Sequence, residues 1–169
     1  MSATSCTVRP LGEADLNDLM AIKPEEGLHH ERFRDQAEGL IRYLGAEVTG
    51  RIVGFVVVML GNKADVMPHT GGEPCCDMVD LLVLESQRGQ GIGSRLATGA
   101  EDACRALGVH WLGLDVNPTD NAPAQRLYQK LGYAVVGPLH LDGTYPTILP
   151  DGSAGVYEDW CVDMVKRLD

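Results

Sequence analysis

The stretch that most constrains this chain is Val79-Asp-Leu-Leu-Val-Leu-Glu-Ser-Gln-Arg-Gly-Gln-Gly-Ile-Gly-Ser-Arg95. Leu81, Leu82, Val83 and Leu84 form a short apolar run of the kind a strand buried on both faces shows. Gly89, Gly91 and Gly93 follow, so the backbone amides of the next turn are bare of side chains. A helix starts at once, with Ile92, Leu96, Ala100, Ala103, Cys104 and Leu107 on one face and Arg95, Glu101, Asp102 and Arg105 on the other. Free N–H groups at the positive end of a helix attract anions. Arg88 adds a forked cation beside them. Strand, Gly-rich turn and helix together predict a phosphate-bearing ligand at residues 88–94.

The rest of the chain reads as further short elements. Cys6 to Arg9 is a strand ended by Pro10, and Glu13 to Ile22 a helix closed by Pro24. From Phe33 the positions Ala37, Leu40, Ile41 and Leu44 make a helical stripe. The intervening Glu25-Glu-Gly-Leu-His-His-Glu31 is expected to be a solvated or pocket-lining loop; its adjacent histidines point apart and have no i, i+4 partner for a metal. Ala46 to Leu60 forms a hairpin about Thr49-Gly50-Arg51. Residues 62–74 form a loop. His110 to Val116 is a strand, Asp120 or Asn121 caps a helix with Pro123 in its first turn, and Gly132 ends it. After a short strand, Tyr133 to Val136, residues 137–155 carry three prolines and two Asp-Gly turns and read as a long lid or binding loop. Val156 to Val165 alternates, with Trp160, Val162 and Met164 facing a core and Asp159 and Asp163 facing away.

With 44% hydrophobic and 22% charged residues the chain is globular rather than disordered, and one domain over residues 1–169 is expected. No apolar run approaches the roughly 18 residues of a membrane span, and no secretory signal is visible, so a cytoplasmic location is expected. The net charge of −10 disfavours nucleic acid and anionic membranes as partners. Five cysteines, including the pair Cys75-Cys76, fit reduced thiols and lack the spacing of a zinc site, so no metal is expected.

Spacing discriminates among phosphate ligands. A dinucleotide fold needs G-x-G-x-x-G directly after its strand, whereas here Glu85-Ser-Gln-Arg88 delays the turn and the glycines run 89, 91, 93. A methyl-donor site would want an acid close before the first glycine, and a P-loop would want Gly-Lys-Ser/Thr; neither is present. Arg88-Gly-Gln-Gly-Ile-Gly93, an R-x-x-G-x-G pattern, resembles the pyrophosphate-binding motif of the GNAT N-acetyltransferase superfamily. Asn121-Ala-Pro-Ala-Gln-Arg-Leu-Tyr-Gln-Lys-Leu-Gly-Tyr133 resembles its second signature, and the order of elements is similar over most of the chain.

The resemblance implies a mixed α+β fold: a central, mostly antiparallel twisted sheet of six to seven strands, splayed between the fourth and fifth, with about four flanking helices. It implies acetyl-coenzyme A as co-substrate. Leu81, Leu82 and Val83 would pair with its pantetheine arm, Arg88, Gly89, Gln90, Gly91, Ile92, Gly93 and Ser94 would cradle its pyrophosphate, and Asn121 would hydrogen-bond the arm or simply cap its helix. Tyr128 stands at the family's general-acid position. For the base, the resemblance leaves Asp77 and Asp115 open, with Asp80 a third carboxylate and water an alternative, and it implies a backbone N–H near Val83 for the oxyanion. The acceptor would be a small-molecule or peptide amine entering between residues 24–31 and 137–155, where Glu25, Glu26, Glu31, Asp142, Tyr145 and Asp151 suit a cation. A monomer or homodimer fits equally. The competing readings are an acyl-coenzyme A sensor without turnover and a methyl-donor or dinucleotide enzyme.

Overall fold

The hairpin about Thr49-Gly50 is the centre of the first part of the molecule. Thr49 (φ 49°) and Gly50 (φ 77°) both take positive φ, the pair of values that lets a two-residue turn follow the twist of its strands. A computed structural model describes residues 5–169. In chain order the elements are β1 (Cys6–Pro10), α1 (Leu16–Ile22), α2 (Glu26–Ala37), β2 (Ile41–Val48), β3 (Arg51–Met59), β4 (Cys76–Val83), α3 (Ile92–Ala106), β5 (Trp111–Val116), α4 (Ala122–Lys130), β6 (Ala134–Ile148) and β7 (Ala154–Arg167). This is the mixed α+β composition expected, with seven strands and four α-helices among the described residues.

The chain divides into two units, one running to Leu112 and including Arg167–Asp169, the other Gly113–Lys166. In the first, β1, β2, β3 and β4 lie in that order, each antiparallel to its neighbour. Leu11, Leu19, Phe33, Ile41, Tyr43, Phe55 and Val57 form one buried cluster. The buried stripe of α3, Leu96, Ala97, Ala100 and Cys104, supplies another apolar face. Gly54 lets β3 lie close to its neighbours, because a Cβ there would stand 2.8 Å from the Leu82 carbonyl oxygen and 3.1 Å from Leu96 Cδ1.

Several sequence expectations are corrected here. The helix expected from Phe33 to Leu44 begins instead at Glu26 and ends at Ala37, and Ile41 to Leu44 belongs to β2. Gly39 (φ 77°) is the stop signal, with the Leu40 N–H returning to the Asp35 carbonyl at 2.9 Å. The apolar residues on either side matched a helical period by coincidence. The Glu25–Glu31 stretch is therefore mostly helix, and His29 is a core residue rather than a loop residue. Within residues 62–74 a 3-10 turn spans Ala64–His69. Leu81 to Leu84 are half-buried, not buried on both faces.

In the second unit the order is β5, β7, β6, with β6 and β7 an antiparallel hairpin. Residues 137–155 are thus mainly strand rather than lid. Their prolines and glycines mimic a loop because β6 is an edge strand: Pro138 and Pro146 can lack N–H donors there without breaking the sheet. Val162 and Met164 are buried as expected, but Trp160 stays 42% exposed and Asp163 is only 9% exposed. The inner half of β7, Cys161–Val165, is buried on both faces, and the outer half projects past the core. All five cysteines are free thiols. No helix among the described residues is long and apolar enough to cross a membrane.

Replacing Gly54 by alanine is expected to destabilise the protein by about 1–3 kcal/mol through overpacking against backbone. Urea denaturation reads this as a lower midpoint at unchanged slope; an unchanged midpoint would show that β3 and β4 can part freely.

Candidate active site

Beyond Val83 a 3-10 turn, Glu85–Gln87, leads to Arg88 in extended conformation, then to Gly89 (φ 75°) and Gly91 (φ 78°, ψ 9°). A Cβ at Gly91 would meet nothing within 4 Å, so backbone conformation and not space calls for glycine there. The alternation of negative and positive φ turns successive amides toward one side, the concave arrangement that binds anions. The first backbone bond of α3 runs from the Arg95 N–H to the Gly91 carbonyl at 3.1 Å. That leaves the Ile92, Gly93 and Ser94 amides as the open first turn of a 15-residue helix. Arg88 Nε donates to the Val83 carbonyl at 3.0 Å, folding its guanidinium back over the end of β4. A cleft of 690 Å³ at this place is lined by Ile22, Val83, Leu84, Glu85, Ser86 and Arg88 among others. Residues 88–94, singled out from sequence, are thus together at one helix end.

Upstream, β4 is not a regular strand. Val79 pairs with Val57 and Leu82 with Phe55, so Val56 alone faces both Asp80 and Leu81. This is a β-bulge, and Asp80 takes φ 52° within it. The bulge interrupts the ladder just before Leu82 and Val83, which pair again with Phe55 and Gly54. The Asp80 carboxylate accepts from Arg32 Nη2 at 2.5 Å and lies 3.3 Å from Lys23 Nζ. Asp77, at the other end of β4, stands opposite Met59 and 3.7 Å from Lys63 Nζ.

In the second unit, Asn121 occupies the N-cap position of α4 without a side-chain cap bond, so it is exposed and caps by position only. Tyr128 is 8% exposed on α4, its ring edge-on to Tyr133 at 5.9 Å. Burial pushes its phenol up to about 12. Asp115 on β5 has His140 and Asp163 close by, with ligand-type atoms of the three within 4.8 Å of one another. Asp142, Asp159 and Cys161 form a similar group. Carboxylates on an acidic protein gather in this way without an ion, and neither group is assigned a metal. His29 is taken up by the core: its Nε2–H donates to the Lys23 carbonyl at 2.7 Å and Nδ1 lies 2.8 Å from the Tyr43 hydroxyl.

Two features went unread in the sequence. Asn117 donates from Nδ2 to Asp159 at 2.8 Å and accepts the Thr119 and Asp120 amides at 3.0 and 2.9 Å, while the Tyr157 hydroxyl donates to Asp120 at 2.6 Å. Arg32 and Lys23 were the other signal, but nothing in a one-dimensional pattern links them to Asp80.

Comparison with known proteins now places this geometry. Residues 12–133 match the acetyltransferase (GNAT) family. The chain therefore belongs to that family and is an acyltransferase of the acetyl-transferring class. A search of curated sequences finds no match. Among solved structures, the ribosomal-protein-alanine N-acetyltransferase of Brucella melitensis is similar with TM-score 0.69 at 22% identity, covering 96% of this chain and 99% of that one. The ribosomal-protein-S18-alanine N-acetyltransferase of Escherichia coli gives 0.71 at 20%, covering 98% and 95%. A phosphinothricin acetyltransferase of Sinorhizobium meliloti, in complex with AcCoA, gives 0.67 at 17%, covering 96% and 88%. These likenesses establish a shared fold.

The raised phenol of Tyr128 has a measurable sign. Its folded-state value of about 12 lies above an unfolded value near 10, so its contribution is complete below about pH 10 and is lost as pH climbs toward 12. Between pH 9 and 11.5 the wild type should lose about 2 kcal/mol of stability relative to Tyr128→Phe, at ~1.36 kcal/mol per unit. Denaturation curves of the pair at both pH values test this, and a constant difference would mean that the phenol ionises as it does in water.

Proposed function

We propose that this protein transfers the acetyl group of acetyl-coenzyme A to a primary amine by direct attack through a tetrahedral intermediate. The observation that carries the reading is the left-handed Gly89–Gly91 turn feeding α3, directly after a bulged β4, in a chain of the GNAT family. In this reading Arg88 to Ser94 hold the pyrophosphate, Leu81 to Val83 present backbone groups to the pantetheine arm, and Asn121 bonds the same arm. The whole chain, 1–169, acts as one catalytic domain. The five free thiols support a reducing, cytoplasmic setting.

The chemistry has two proton problems. An alkyl ammonium of pKa ~10.4 must lose a proton before it attacks, which costs about 4–5 kcal/mol at pH 7. Asp77 and Asp115 are the carboxylates proposed for this, either of them working through water because Asp reaches less far than Glu. The departing thiolate must gain a proton. Tyr128, kept neutral by burial, is the proposed donor, and it stays protonated at any physiological pH. The oxyanion takes a backbone N–H of β4 near Val83, just beyond the bulge in which Asp80 and Leu81 face Val56 alone. Two of the similar structures carry names of enzymes that acetylate ribosomal-protein alanine. A peptide amino terminus therefore joins small cationic amines as an acceptor class, and the net charge of −10 suits either.

Acetyl-coenzyme A should raise the melting temperature, whereas S-adenosylmethionine should not, because only a ligand of the native state stabilises by mass action. Coenzyme A release across a panel of amines and peptides then identifies the acceptor; ligand binding with no release from any of them would leave a sensor. Tyr128→Phe should lower kcat by about 10²-fold or more with little change in acetyl-coenzyme A affinity. Gly91→Ala should instead weaken that affinity, through strain at φ 78°. Of Asp77→Asn and Asp115→Asn, the one that loses kcat while still binding acetyl-coenzyme A identifies the base, and full activity in both assigns the step to water.

A further inference from the structure

We infer that Arg32 and Lys23 are positioning residues for the proposed acetyl transfer: through Asp80 they hold the β4 bulge whose backbone meets the reacting thioester. The inference rests on that reaction and adds to it a device built from α1, α2 and the core. Apart from glycines, only Thr49 and Asp80 have positive φ among the described residues. Thr49 sits in an exposed turn, where such a conformation is common, while Asp80 is inside a strand. Bulges that need a left-handed residue ordinarily take glycine there, since a side chain opposes that conformation. An aspartate at this place has to be held.

Its holders are visible. Arg32 Nη2 donates to Asp80 Oδ2 at 2.5 Å, and Lys23 Nζ stands 3.3 Å from the same oxygen. The Arg32 side chain is only 11% exposed, and its guanidinium lies 5.4 Å from the ring centres of both Tyr43 and Phe55. Its orientation is set by stacking on core aromatics and not by solvent. Lys23 is fixed through its backbone, because its carbonyl accepts from the fully buried His29, whose other nitrogen meets Tyr43. Core aromatics thus locate two cations, the cations locate one carboxylate, and the carboxylate locates the bulge. In a chain of net charge −10, two half-buried cations converging on one strand residue serve a local purpose.

Glycine supplies the test, because it adopts positive φ without any anchor, while alanine does not. Both Asp80→Gly and Asp80→Ala are made in an Arg32→Met background, so that no buried cation is left without its carboxylate. With the amine chosen by the panel, the glycine double variant is expected within about threefold of wild-type kcat and the alanine one at least about 10-fold below it. The KM for acetyl-coenzyme A should stay within about twofold in both. Equal loss in the two would show that the charges themselves are needed, and equal activity that no anchor is needed; either result overturns the proposal. Urea midpoints of the two variants read the bulge without turnover: the glycine form should be the more stable, and the reverse order also overturns it. A wild type that releases no coenzyme A with any amine removes the reaction and the positioning role together, while the midpoints still report on the anchor. If neither double variant folds, Asp80→Asn alone decides. Asparagine tolerates positive φ and still accepts from Arg32, so kcat within about threefold supports the anchor and a loss of 10-fold or more refutes it.

Discussion

Everything distinctive in this fold follows from one demand on β4: it must stay paired with β3 at both ends and yet break its regular register before the Gly-rich turn. The bulge at Asp80 meets that demand in the middle of the strand, and the left-handed glycines at 89 and 91 meet it beyond the end. Between them lies a short piece of backbone, residues 81–83, held in place by neighbours on either side. Gly54 on β3 works toward the same result, because its missing side chain lets the Leu82 carbonyl come close.

Charge is placed with similar economy. The chain is acidic, and ion pairs such as His30–Glu13 and Arg105–Asp102 are exposed ones of the kind worth little. The Arg32–Asp80 contact differs because the guanidinium is packed on two aromatic rings. His29 belongs to the same assembly, joining the Tyr43 hydroxyl to the backbone that carries Lys23. The aromatic cluster is therefore both core and foundation: it buries apolar surface and it also aims polar groups at β4. In the second unit the Asn117, Asp120, Tyr157 and Asp159 contacts do comparable work, tying the end of β5 to β7.

The amino-acid sequence alone determined the parts that depend on near neighbours. Gly89, Gly91 and the apolar stripe of α3 specify a turn and a helix through φ preferences and a 3.6-residue period, so the turn and the start of α3 were legible at residue level. The β2–β3 turn and Asn121 with Pro123 before α4 were legible for the same reason. Where two local codes coincided, reading failed. Ala37, Leu40, Ile41 and Leu44 fit a helical stripe although Gly39 divides them, and the prolines of β6 look like loop residues until its place at a sheet edge is known.

Tertiary structure alone decided what depends on register and on distant partners. No pattern in Val79 to Val83 announces a bulge, because an extra residue is defined only against the strand it faces. Asp80 looked like one more strand acid; its engagement by Arg32, 48 positions earlier, follows from packing α2 on the aromatic cluster. His29 looked like half of a histidine pair and is a core hydrogen-bonding residue, because burial, not spacing, fixes what an imidazole does. Short-range conformational preference wrote the Gly-rich turn into the sequence, and long-range packing made the strand beside it irregular.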